Sequence, residues 1–195
     1  RVLFRSADPP RLRIALSTRW GPYAAEAGLC QELERSAKHL QDLGHHIDWA
    51  LPDLDYEMAF EAQTFCYISN FAQVISAHLK TRQLEEPPSD CIEPINRLIW
   101  ETGKDFSYSD RFAMQEVFNT TARRFGAFFE SWDIILTPIT AQETPLIGQR
   151  DLLTTSTETD VYAWFHRLWK AFAFTPLSNL CGIPAISMPM AQQTS

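Results

Sequence analysis

The sequence predicts an α/β protein, part of a mixed, mostly parallel sheet flanked by helices. Three observations carry that expectation. A strand, a helix and a second strand fit within residues 11–50, and a short apolar run at 133–138 is halted by proline. The remaining long segments carry apolar residues at spacings of three and four, the period of helices packed on a sheet.

Arg11–Ser17 alternates basic and apolar residues at its start and reads as a strand. Leu29, Leu33, Ala37, Leu40 and Leu43 then recur at helical spacing, and Gly44 suits the position just past a helix end. His46–Ala50 resumes as a strand closed by Leu51-Pro52, which completes a βαβ unit. A long helix follows with Phe65, Ile68, Ala72, Ile75 and Leu79 on one face, and Glu85-Glu86-Pro87-Pro88 is expected to terminate it. A shorter helix is expected over Glu93–Glu101. Ser107 reads as an N-cap with Asp110 three residues on. The helix it opens carries Phe118, Ala122, Phe125, Phe129 and Trp132, a stripe expected to pack in the core. Asp133–Pro138 reads as a buried strand entering a loop, and Ile139–Thr159 as a long polar loop. Val161–Phe172 reads as a helix and Ala185–Met188 as a last apolar strand.

Composition narrows the function classes. The 195 residues are 45% hydrophobic, with 13 Phe and 6 Trp, too much aromatic mass for a solvated disordered segment. A net charge of −7 argues against nucleic acid or an anionic membrane surface as partner. No window approaches an uncharged apolar span; Tyr162–Leu177 is interrupted by His166, Arg167 and Lys170. Cys30, Cys66, Cys91 and Cys181 are widely spaced and read as buried thiols, and the five histidines show no metal-ligand spacing. Neither a metal nor an organic cofactor is expected. Among catalytic motifs, G-x-S-x-G, the P-loop and G-x-G-x-x-G are all missing from the sequence.

The first six residues, Arg1-Val2-Leu3-Phe4-Arg5-Ser6, match one reading frame through the end of a widely used short-read sequencing adapter. Residues 1–6 are therefore expected to be adapter read-through and residues 7–195 the C-terminal part of a single domain.

Phe174-Thr175-Pro176-Leu177-Ser178-Asn179-Leu180-Cys181-Gly182-Ile183-Pro184 has its own physical sense. Pro176 and Pro184 fix the backbone at two points, and Gly182 permits positive φ between them. Asn179 is a short amide able to hold a turn by bonding backbone groups. Such a corner serves either as core or as the wall of a pocket. Together with Ala185-Ile186-Ser187-Met188-Pro189 and the upstream Asp133-Ile134-Ile135-Leu136-Thr137-Pro138, the segment strongly resembles the amidase-signature family, and the resemblance runs from about Arg11 to Met190. The Thr-rich loop and the Trp/Phe-rich helix before Phe174 look most like amidases of the 6-aminohexanoate-cyclic-dimer hydrolase type. Cys181 stands where the family often has threonine.

That resemblance implies a hydrolase cleaving carbon–nitrogen bonds of small or linear amides. The chemistry implied is a serine nucleophile activated by a second serine and a lysine, with the oxyanion held by a Gly/Ser-rich loop. Those elements belong to the family's N-terminal half, and no Gly-Gly-Ser or Gly-Ser-Ser occurs here. Lys38, Lys80, Lys104 and Lys170 fall on expected helices, so no catalytic residue is carried over. Phe174, Thr175, Asn179, Cys181 and Gly182 are the candidate substrate-binding residues, because this region of the family borders the acyl cavity. The expected partner is a small-molecule amide, with no nucleic acid and no membrane; a homodimer of the full-length protein and a cytoplasmic location are further expectations. The glutaminase-type component of a tRNA-dependent amidotransferase is the alternative within the family, and a non-catalytic interaction protein the alternative outside it.

Overall fold

A strand becomes central when its backbone finds partners on both sides, and the first strand of this chain does so. The computed structural model describes residues 10–144, 146 and 159–189, so the six residues read as adapter lie outside the described region. Its first elements are β1 (Arg13–Leu16), β2 (Arg19–Trp20), β3 (Tyr23–Ala24), α1 (Ala27–Asp42), β4 (His46–Trp49) and α2 (Tyr56–Arg82). Then come α3 (Pro94–Gly103), α4 (Tyr108–Ser131), β5 (Ile134–Leu136), α5 (Val161–Phe172) and α6 (Pro176–Cys181). Three strands form a parallel sheet in the order β4-β1-β5, while β2 and β3 pair separately and antiparallel.

The βαβ unit forms as expected. Past the end of α1, Gly44 takes φ +94°, its N–H donates to the Gln41 carbonyl at 2.8 Å, and the His45 N–H donates to the Leu40 carbonyl at 3.2 Å. This pair of bonds closes the last turn and sends the chain back into β4. In the sheet, Ala15 lies opposite Ile135 and Leu16 opposite Leu136. Alternation then presents Leu16, Ile47 and Leu136 to Leu33 and Ala37 of α1, while Ile135 joins the helical core on the other face.

Asp133 fixes the register of β5. Its carboxylate accepts the Arg13 backbone N–H at 2.7 Å and two guanidinium bonds from the same residue, at 2.8 and 3.3 Å, while its own N–H donates to the Arg13 carbonyl at 2.8 Å. These bonds hold the carboxyl well below its ordinary value, at about 2.

α2 is the hub of the helical layer, with α3, α4, α5 and α6 all packed on it. Its first half buries a broad face, at Ala59, Phe60, Ala62, Gln63 and Thr64, and leaves Glu57, Met58 and Glu61 exposed. Trp169 of α5 donates its indole N–H to the Thr64 hydroxyl at 2.7 Å, deep in the protein, and Thr64 donates onward to the Phe60 carbonyl. α4 opens on the expected Ser107–Asp110 pair, a reciprocal capping box.

Several expectations are corrected. α2 ends not at the prolines but five residues earlier, where Gln83 turns left-handed at φ 55°. The α4 stripe is only partly core: Phe125 is 1% exposed, whereas Phe118, Ala122, Phe129 and Trp132 are half-buried among the described residues. Period places residues on a face, but it does not supply the surface that covers them. Ala185–Met188 forms no strand among the described residues, and Ile186 is 82% exposed. A strand needs a neighbour to take its N–H and C=O groups, and no described strand pairs with it. Most of the expected loop at 139–159 falls outside the described residues.

Candidate functional site

The segment that carried the family resemblance folds as a short helix and a turn. Pro176 occupies the first turn of α6, where its missing N–H is no loss. At the other end Gly182 turns left-handed at φ 65°; its N–H donates to the Asn179 carbonyl at 3.3 Å, and the Ile183 N–H donates to the Ser178 carbonyl at 3.0 Å. The turn is thus held by backbone groups. The expectation that the Asn179 side chain holds it is corrected: that side chain is exposed and makes no hydrogen bond among the described residues.

Thr175 and Asn179 come together at a cleft of about 390 Å³, with Asn96 as a third polar group. Its walls are Tyr67 and Phe71 from α2 and Trp164, Phe165, Leu168 and Trp169 from α5, and no charged side chain lines it. The ring of Trp164 lies edge-on to Phe165 at 4.9 Å, and Phe165 stacks on Trp169 at 5.7 Å. This is an apolar chamber with polar groups converging at one end, the usual make-up of a small-molecule site. The other candidates sit elsewhere. Phe174 is 3% exposed, edge-on to Trp20 at 6.0 Å, inside the core. Cys181 is half-buried against the same core, and burial pushes its thiol up to about 11. Gly182 supplies the turn rather than a wall.

The cleft walls from α2 and α5 were not among the sequence-predicted site residues. Their signal was present: Trp164 and Leu168, and Phe165 and Trp169, are four apart in one helix. Nothing local says that this face meets Tyr67 and Phe71 about a hundred residues earlier.

A second and larger cleft, of about 750 Å³, lies across Trp169, the one lining residue the two share. Among the described residues, no group of three or more His, Cys, Asp or Glu is placed to hold a metal ion, and no helix is long and apolar enough to cross a membrane.

A family model described as Amidase matches residues 4–195. AmiC of Mycobacterium tuberculosis (strain ATCC 25618 / H37Rv), an amidase by designation, is 30% identical over 185 residues, covering 93% of this chain and 37% of that protein. The structure of 6-aminohexanoate cyclic dimer hydrolase complexed with substrate matches with a TM-score of 0.75 at 23% identity, over 91% of this chain and 38% of that one. A bacterial aryl acylamidase of the amidase signature family matches with a TM-score of 0.65 at 16% identity, over 88% of this chain and 35% of that one. At those identities the structural likeness speaks for the fold alone. The chain spans little more than a third of the length of each of these proteins.

Proposed function

The chain belongs to the amidase family, and from that premise we propose that the protein to which it contributes hydrolyses carbon–nitrogen bonds of small or linear amides. The family match over nearly the whole chain is the observation that carries this reading. The uncharged aromatic cleft at α6 supports an apolar, uncharged acyl group as the part of the substrate held here.

The proposed chemistry is covalent, with a serine nucleophile, a second serine and a lysine dividing hydrolysis into acylation and deacylation. We place all three outside this chain, upstream of the region matched. Two of its four lysines support that placement: Lys38 is paired with Asp42 at 2.8 Å, and Lys104 sits over the Trp100 ring at 4.7 Å. No metal or organic cofactor enters the proposal. A cytoplasmic location fits the free thiols of Cys30, Cys66, Cys91 and Cys181, and a homodimer of the full-length protein belongs to the same reading.

The test compares the 195-residue chain with the same chain extended through its upstream reading frame, using a chromogenic anilide. The extended protein should turn over the anilide and lose activity to a serine-directed inhibitor, while the chain alone should show none. Turnover by the chain alone would overturn the placement of the nucleophile. An inactive extended protein carrying the Ser, Ser and Lys would overturn the reaction class.

A further inference from the structure

The cleft on the far side of Trp169 has a different chemistry. One wall is a single face of α2, Glu57, Phe60, Glu61, Thr64 and Phe65, at helical spacings of three, one, three and one. The cleft is also lined by α5, with Tyr162, His166 and Trp169, and by Tyr23. Its volume of about 750 Å³ lies in the range of ligand sites.

Three observations fix what such a space would take. First, Glu57 and Glu61 are exposed and four apart, yet neither has an ion-pair or hydrogen-bond partner among the described residues, and no Lys or Arg lines the cleft. Two like charges one turn apart repel each other, so a cation between them relieves the repulsion. Second, the polar groups of the interior are already committed. The Tyr23 hydroxyl meets His166 Nδ1 at 3.1 Å, and the Thr64 hydroxyl accepts from Trp169. The rings of Tyr23, Phe65, Tyr162 and Trp169 are thus left as the surface a ligand would touch, and aromatic faces attract organic cations. Third, the carboxylate field reaches inside: the Tyr23 hydroxyl is held above its ordinary value by burial and by Glu57. Two carboxylates set among aromatic rings lack the oxygen ligands a hard metal ion needs.

We propose that this cleft binds a primary organic ammonium carrying an apolar tail, with the charged head between Glu57 and Glu61 and the tail against the aromatic walls. The site is separate from the α6 cleft and does not depend on the reaction class proposed for it. Trp169 alone touches both.

The test uses the 195-residue chain immobilised on a column, where it cannot associate, and measures the retention of 3-phenylpropylammonium against 3-phenylpropanol. The two probes share a tail and differ in the head group. At low salt the ammonium should be retained several-fold more than the alcohol, and added salt should erase the difference. Glu57→Gln and Glu61→Gln should each reduce ammonium retention roughly threefold, the scale of an exposed ion pair, and leave the alcohol unchanged. Because an acidic protein attracts any cation diffusely, the controls are Glu34→Gln and Glu101→Gln made singly, each removing the same one charge from an exposed position elsewhere. Equal retention of the two probes on the unaltered chain would overturn the proposal without any variant. An equal loss in the controls would overturn it as well, by showing that net charge alone is read.

Discussion

Gly103 is the position where one methyl group should do the most harm. It is buried at the end of α3, and a Cβ built there would lie 2.7 Å from the Ile68 carbonyl oxygen, 2.8 Å from Ala72 Cβ and 2.8 Å from Ile68 Cγ2. Two of these three neighbours cannot swing away, since one is helix backbone and one is a methyl fixed to it. Gly103→Ala must therefore push α3 off α2, and overpacking of this kind costs about 1–3 kcal/mol. The gain from replacing glycine in a helix is at most about 1 kcal/mol, and less in a last turn. The net should be a loss of about 1–2 kcal/mol, or a fall in Tm of roughly 2–8 °C for a domain of this size. Gly126, inside α4 and clear of its last turn, has nothing within 4 Å of the same added atom. Gly126→Ala should therefore stabilise, by about 0.5–1 kcal/mol. Thermolysin resistance across a urea series reads both variants at concentrations too low for association. One chemical change should thus act with opposite signs at the two glycines. A Gly103→Ala midpoint equal to or above that of the parent would refute it.

Other perturbations test the sheet, the hub and the turn. Asp133 is depressed in the folded protein, so its stabilising contribution is present above the unfolded carboxyl value and is lost as pH falls through about 2. The gap in urea midpoint between the parent and Asp133→Asn should be full at pH 6 and close between pH 4 and pH 2; a gap independent of pH would deny the Arg13 pairing its role. Thr64→Val leaves the buried Trp169 indole N–H without an acceptor and should cost about 1–3 kcal/mol, with Thr64→Ser recovering most of it. Asn179→Ala should change stability by less than about 0.5 kcal/mol, because the turn is closed by main-chain bonds. Cys181→Thr should lower Tm by burying a hydroxyl against the core while leaving the kcat/KM ratio for two amides of different acyl size unchanged in the extended enzyme; a shifted ratio at unchanged Tm would put that side chain in the acyl cavity instead.

What could be read from the sequence followed the range over which each signal acts. The Ser107 cap and the span of α5 rest on residues within a turn or two of each other, and the βαβ unit on elements adjacent along the chain, and they form as expected. The β2–β3 pair went unread because two-residue strands carry no period, although Gly21-Pro22 between them is a turn signal. The half-covered face of α4 and the unpaired run at 185–188 mark the other limit. An apolar pattern says that a surface seeks cover and leaves open what provides it. The α6 cleft was half legible for the same reason. Thr175 and Asn179 lie inside a recognisable motif, whereas Tyr67 and Phe71 reach it only through the packing of α2 on α5.

The strand order β4-β1-β5 has a consequence in time. A ribosome adding about 5–20 residues per second needs roughly 6–24 s to make the 120 residues between Arg13 and Asp133. Once β4 has been made, β1 can hold it on one side for the rest of that interval while its other edge, Ile14-Ala15-Leu16, waits for β5. An open edge of this kind is a template for any strand that arrives first. The positive charge of Arg13 at its head discourages most visitors until Asp133 emerges to accept both the guanidinium and the strand N–H. On one message, nascent copies that have made β4 but not yet β5 lie near one another, so the polysome is where this sheet is most exposed to pairing with a stranger.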